Sequence, residues 1–230
     1  MKFRKIGTTV PAVEVFFEQV GEEMITQSGG MAWMSDGVHM SSDTNGGFLS
    51  GLGRMFAGES LFMARYRAER PGATIAFAST VPGSIVPIKM KDYPNGIICQ
   101  KGSFLCSQSS VKLEVTFSKK LSSGFFGGEG FILEKLSGVG TAFLEIDGDA
   151  VEKELQPGEV LKVDTGNVVA FQEGVSYDIE TVSGFKNILF GGEGIFLTKL
   201  TGPGKIILQT QNIKDFAGAL SRYLPSGNSR

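Results

Sequence analysis

Apolar and polar side chains alternate over Val111-Lys112-Leu113-Glu114-Val115-Thr116-Phe117 and again over Val175-Ser176-Tyr177-Asp178-Ile179-Glu180. A period of two turns one face of a strand to a core and the other to water. Shorter apolar runs, Val13-Glu14-Val15-Phe16-Phe17 and Val168-Val169-Ala170-Phe171, are closed by glycine-bearing turns. Short strands punctuated in this way predict an antiparallel sandwich or barrel rather than βαβ units. One segment has another period: Ile213, Phe216, Leu220 and Tyr223/Leu224 fall on a helical stripe stopped by Pro225. This predicts a short amphipathic helix over 213–225, docked on the β body.

The strand pattern repeats. Gly21, Glu22, Gly29 and Gly37 recur as Gly158, Glu159, Gly166 and Gly174, all 137 positions on, and Gly102 marks a middle copy 73 after Gly29 and 64 before Gly166. A second phrase, Phe125-Phe126-Gly127-Gly128-Glu129-Gly130-Phe131-Ile132-Leu133, returns as Leu189-Phe190-Gly191-Gly192-Glu193-Gly194-Ile195-Phe196-Leu197. A worn copy is Met55-Phe56-Ala57-Gly58-Glu59-Ser60-Leu61-Phe62-Met63. Glycine turns and short strands follow each: Thr74-Ile75-Ala76-Phe77, Thr141-Ala142-Phe143-Leu144 and Lys205-Ile206-Ile207-Leu208. The expected organisation is therefore three β repeats, 1–85, 86–149 and 150–212, in one globular body, with the helix after them. The Gly/Phe/Leu-rich run Asp43 to Phe56 departs from the repeat.

Composition narrows the function classes. Lys+Arg 22 against Asp+Glu 24 gives a net charge of −2, without the basicity of a nucleic-acid binder. Gly 32 and Phe 18 suit many short strands joined by tight turns. No apolar stretch of signal-peptide length follows the basic residues after Met1. The only cysteines are Cys99 and Cys106, which fits a reducing cytoplasm better than a disulfide framework.

The repeated hairpins and the Phe-Gly-Gly-Glu-Gly and Leu-Thr-Gly-Pro-Gly phrases resemble bacterial proteins of unknown function related to the altered-inheritance-of-mitochondria family, across residues 10–225. The resemblance implies three tandem jelly-roll-like repeats, each a short double-stranded β-helix similar to the subunit of the tryptophan RNA-binding attenuation protein. They would stand about a pseudo-threefold axis. It implies no catalytic residues, because fold does not carry function.

Candidate chemistry is sparse. His39 is the sole histidine and has no matching serine or cysteine phrase, so it reads as a strand histidine. Cys99 and Cys106 fall, in the register of the repeat, on Thr26 and Trp33 in the first unit and on Val163 and Ala170 in the third. They read as small buried hydrophobes rather than redox or metal residues. Gly127-Gly128-Glu129-Gly130 lacks the Lys-Ser/Thr of a phosphate loop and leads into a strand, so turn geometry explains its glycines. Glu59, Glu129 and Glu193 are trailed six residues on by Arg65, Lys135 and Lys199. Near a common axis these carboxylates would form a ring for a hard cation such as calcium or magnesium; otherwise each caps its own glycine turn or pairs with a neighbouring base. Arg54, Arg65, Arg67 and Arg70 gather in the first unit around Tyr66, without the repeated aromatic ladder that RNA stacking needs.

The expected function is a non-enzymatic, cytoplasmic β scaffold with an interaction or assembly role. Its partner would be a protein of unknown identity or further copies of the chain, with no cofactor and no nucleic acid. The runner-up is peripheral association with a membrane or lipid through region 46–63, where Phe48, Leu49, Leu52, Arg54, Met55 and Phe56 would form the interaction surface. A small-ligand site or an enzyme of unknown class ranks third.

Overall fold

The computed structural model describes residues 1–27, 29–42, 63–119, 131–181, 196–221 and 223. The described chain is predominantly β, with one short helix. A first strand, β1 (Lys2–Ile6), is followed by three successive runs of six. The first run is β2 (Ala12–Phe16), β3 (Glu23–Gln27), β4 (Met31–Met34), β5 (Val38–Ser42), β6 (Met63–Ala68) and β7 (Thr74–Ala78). The second is β8 (Gly83–Lys89), β9 (Ile97–Gln100), β10 (Phe104–Gln108), β11 (Val111–Lys119), β12 (Phe131–Gly138) and β13 (Thr141–Asp147). The third is β14 (Ala150–Leu155), β15 (Val160–Asp164), β16 (Val168–Gln172), β17 (Ser176–Thr181), β18 (Phe196–Thr201) and β19 (Gly204–Gln209). The 85/86 boundary expected from sequence falls inside β8, whereas 149/150 falls in the turn between β13 and β14.

Pairing is antiparallel throughout and recurs with the strand number advanced by six. One six-stranded sheet runs β5-β6-β3-β10-β13-β8 and a second runs β11-β12-β9-β16-β19-β14. Each is thus built from three strands of one run and three of the next. A four-stranded sheet, β1-β2-β7-β4, and a three-stranded sheet, β15-β18-β17, hold the remaining halves of the first and third runs. One irregularity repeats as well, although the register shift between Val115 and Phe117 in β11·β12 has no counterpart among the described residues of β5·β6 or β17·β18. A bulge separates Met31 from Trp33 where β4 meets β7, Phe104 from Cys106 where β10 meets β13, and Val168 from Ala170 where β16 meets β19. A bulge fixes register and bends its strand, so its recurrence at equivalent residues gives the three strands the same local path.

Two junctions join the runs. At the first, β10 lies beside β3 with Cys106 opposite Thr26; at the second, β16 lies beside β9 with Ala170 opposite Cys99. A pseudo-threefold arrangement needs a third junction, between β15 and β4. Among the described residues both are sheet edges.

Burial follows the junctions. Val13, Phe17, Met24, Ile75, Phe77, Leu105 and Phe143 share one cluster, so the first core takes side chains from both the first and second runs. A second cluster joins Ile97, Cys99 and Leu144 to Val169, Ala170 and Ile207, and a third packs Leu155, Phe171, Val175 and Leu200 around Leu133. Each fully buried Phe, Ile or Leu contributes about 1.5–3 kcal/mol relative to an exposed one. Because every cluster crosses from one run to its neighbour, the runs share their cores.

The helix α1 spans Ile213–Ser221. Asn212 caps it: the Asp215 amide donates to Asn212 Oδ1 at 2.9 Å, and Asn212 Nδ2 donates to the Asp215 carboxylate at 2.7 Å. The expected docking of its apolar stripe is corrected by the structure. Ile213 and Leu220 are each 48% exposed and Tyr223 is 86% exposed, leaving Phe216 as the partly buried member. The helix is held at its N-terminus by polar contacts, Asn212 Nδ2 lying 3.5 Å from Asn167 Oδ1.

Candidate functional site

Many of the residues singled out in sequence lie outside the described segments. These are Phe48, Leu49, Leu52, Arg54, Met55 and Phe56, the glutamates Glu59, Glu129 and Glu193, and Gly127 to Gly130. The trailing bases are placed. Arg65 forms an ion pair with Glu23 at 2.9 Å and Lys135 one with Glu173 at 2.9 Å, while Lys199 lies between Lys162 and Asp178 in the β15-β18-β17 sheet. Arg70 reaches the carbonyl and carboxylate of Asp36. Two of the first-unit arginines are thus paired with acids, Arg65 with Glu23 on the neighbouring β3 and Arg70 with Asp36 in the turn between β4 and β5. Among the described residues no three His, Cys, Asp or Glu side chains gather as a metal site. His39 is exposed on β5, opposite Arg67.

Cys99 and Cys106 are fully buried free thiols. Burial pushes both thiol pKa values well up, and for Cys99 the neighbouring Glu134 adds to the effect. A thiol held neutral and away from solvent is a poor nucleophile. Both sit in the junctions: Cys106 in β10 beside Thr26, and Cys99 in β9 beside Ala170.

Glu134 was not singled out in sequence. It lies in β12 opposite Cys99, has no exposed surface, and receives both of its described hydrogen bonds from Gln27 Nε2, at 2.9 and 3.0 Å. Loss of hydration raises its pKa from 4.5 to about 7, against the opposing pull of the Gln27 hydrogen bonds and the Lys101 charge. β3 and β12 belong to different six-stranded sheets, so this contact links them. The equivalent positions in the repeat, Ala64 and Thr198, are small, and that contrast is the signal from which the carboxylate could have been noticed.

The other feature is a pair of strand edges. Among the described residues, four sheets have eight edges: β1, β4, β5, β8, β11, β14, β15 and β17. β5, β11 and β17 are equivalent, and each is an edge in its own run. β8 and β14 are edges whose counterpart, β2, is covered by β1. Among the described residues, only β4 and β15 are edges both of whose counterparts lie inside sheets. The counterparts of β4 bury Phe104 to Ser107 and Val168 to Phe171, whereas β4 itself exposes Ala32, Trp33 and Met34. Trp33, the single tryptophan of the chain, is 46% exposed. β15 likewise exposes Val160 and half-buries Leu161 and Val163, where β3 buries Met24, Ile25 and Thr26. Met-Ala-Trp-Met on β4 carries none of the charges that usually blunt an edge.

Comparison with known proteins places this architecture. Residues 3–211 match the family described as mitochondrial biogenesis AIM24. The chain belongs to the AIM24 family. An uncharacterised protein of Streptococcus pyogenes serotype M6 is 29% identical to this AIM24 protein over 228 residues, covering 95% of this chain and 89% of the relative. A crystal structure of a Streptococcus pyogenes protein is similar with a TM-score of 0.78 at 28% identity, covering 97% of this chain and 99% of that one. The fold is therefore shared along the whole length of that relative. Among the described residues, no helix is long and apolar enough to cross a membrane.

Proposed function

We propose that this AIM24-family chain is a non-enzymatic β scaffold that works by protein–protein contact through its sheet edges. The observation that carries the reading is the exposed, uncharged β4 strand with Trp33 at its centre, in a position whose counterparts in β10 and β16 are buried by strand pairing. An edge of this kind gives main-chain hydrogen bonds to an added strand, while its side chains set specificity. The jelly-roll character of the units, their likeness to the tryptophan RNA-binding attenuation protein subunit and their pseudo-threefold relation belong to the same proposal. They are supported by the recurring strand order and bulges. The non-enzymatic part is supported by the exposed position of the sole histidine and by two thiols held neutral in the core. A cytoplasmic location agrees with those two unpaired cysteines. The membrane reading rests on region 46–63, of which residues 46–62 lie outside the described residues.

The test is site-specific photo-crosslinking in the native cell, with a benzophenone amino acid in place of Trp33. Protein adducts are expected. Adducts confined to lipid or small molecules, or none, overturn the reading.

A further inference from the structure

Resting on the edge-contact reading, we infer that the partner is a second copy of this chain, with β15 of one copy lying antiparallel beside β4 of the next and Val163 opposite Trp33. The template for the contact is inside the chain. At the first junction Thr26, Ile25 and Met24 lie opposite Cys106, Ser107 and Gln108. At the second, Cys99, Ile98 and Ile97 lie opposite Ala170, Phe171 and Gln172. The two sets are related by shifts of 73 residues between β3 and β9 and 64 residues between β10 and β16, the same shifts that relate the glycine turns. Carrying both strands one step further pairs Val163, Lys162 and Leu161 with Trp33, Met34 and Ser35.

The strands are already shaped for it. β4 carries the bulge that β10 and β16 carry at their junctions, so its free edge follows the path that accepts a β3-type strand. Met31 and Trp33 at the β4 edge, and Val160, Leu161 and Val163 at the β15 edge, are apolar positions left exposed or half-buried in the single chain. Lys162 does not oppose the contact. Its ammonium is paired with Glu180 at 2.7 Å, which leaves the aliphatic stem to pack beside Met34. A four-stranded and a three-stranded sheet then become one sheet of seven, in which β1 remains the outer strand beside β2.

Each copy offers one β4 and one β15, so the contact is heterologous and every added copy presents a fresh edge. Association then continues until a ring closes or a fibre grows. Closure within a single chain would use the same two strands. In the described structure they lie at opposite ends of the sheet series, and no strand pairing joins β1–β7 to β14–β19.

The experiment mixes two full-length single variants, Trp33→Cys and Val163→Cys, under mild oxidation. Directly opposed residues of an antiparallel pair lie at disulfide distance. The native Cys99 and Cys106 are buried and do not compete. A disulfide-linked heterodimer in the mixture, absent from either variant alone, is the expected result. Failure of that heterodimer to form overturns the inference, as does a Trp33→Cys/Val163→Cys double variant that closes only on itself. The unmodified chain gives a second readout that needs no variant. Light scattering must show assemblies larger than one chain, and Trp33 emission must shift to the blue as concentration rises; a monomer with unchanged emission overturns the inference. Should Trp33 crosslink other proteins in cells while the mixed disulfide never forms, the scaffold reading stands and the self-association falls.

Discussion

Gln27 Nε2 donates to both carboxylate oxygens of Glu134, at 2.9 and 3.0 Å, from the end of a strand in one six-stranded sheet to the middle of a strand in the next. A carboxyl group with no exposed surface is costly when charged, and a single amide nitrogen is a modest compensation. The pair therefore makes the association of the two sheets sensitive to the protonation of one residue.

The sign of that sensitivity is fixed by the direction of the shift. The folded pKa of Glu134 is raised to about 7 from 4.5, so between those values the folded chain holds a proton that the unfolded chain has released. Stability contributed by the protonated form is fully present below the ordinary value. It falls as pH rises through this window and stays lost above it, a difference on the order of 3 kcal/mol. Glu134→Gln cannot titrate. In urea unfolding followed across the window, the difference in stability between Glu134→Gln and the parent should swing toward the variant with rising pH. A difference that does not change with pH would contradict the assignment.

Gln27→Leu removes both donors and leaves the carboxyl group buried without its described hydrogen-bond partner. The expected loss is about 1–3 kcal/mol. It should be larger at pH 8 than at pH 5, because the ionised form depends more on the donated hydrogens. Combining the change with Glu134→Gln should cost less at pH 8 than Gln27→Leu does alone, since no buried charge is then left without its donor. Denaturant midpoints of the four chains at both pH values complete the cycle.

Much of the architecture was legible in the chain because strands leave a period-two record and turns leave glycines. Val111 to Phe117 and Val175 to Glu180 both announced themselves as strands in this way. The register that set Cys106 on Trp33 and Ala170, and Cys99 on Thr26 and Val163, places those residues at the two junctions and their two free counterparts. What sequence could not give was which junctions form, because the pattern is the same at all three. Trp33 read as one more strand residue; it is a surface because, among the described residues, β4 is paired on one side only, by β7. Glu134 escaped notice for a different reason. Leu133-Glu134-Lys135-Leu136 looks like an ordinary half-exposed strand, yet both Leu133 and Glu134 are fully buried, since β12 is covered on both faces there. The helix failed in the opposite sense: its stripe is real in sequence, but no described apolar surface receives it.

Cys99 and Cys106 should report on opening of the junctions. Both are without exposed surface and have pKa values raised by burial. A thiol reagent such as dithionitrobenzoate should therefore react with neither in the folded chain and with both in denaturant. Their labelling rates under native conditions should track opening of the β3·β10 and β9·β16 contacts and fall with added stability. Prompt labelling of either thiol at neutral pH would show that its junction is open in solution.

Asn212→Ala tests how the helix is held. Asn212 accepts from the Asp215 amide, donates to the Asp215 carboxylate, and places Asn167 Oδ1 at 3.5 Å from its own Nδ2. These contacts anchor a nine-residue helix whose side chains are mostly exposed. A helix of that length is marginal in water without tertiary support, and losing an Asn cap costs about 1 kcal/mol. That is enough to shift a marginal equilibrium toward coil. The amides of Ile213–Ser221 should lose what protection they have against hydrogen exchange, while the unfolding midpoint of the β body stays where it was. If the midpoint fell by as much as a buried Phe143→Ala change lowers it, α1 would be part of the cooperative core rather than an appendage held by its cap.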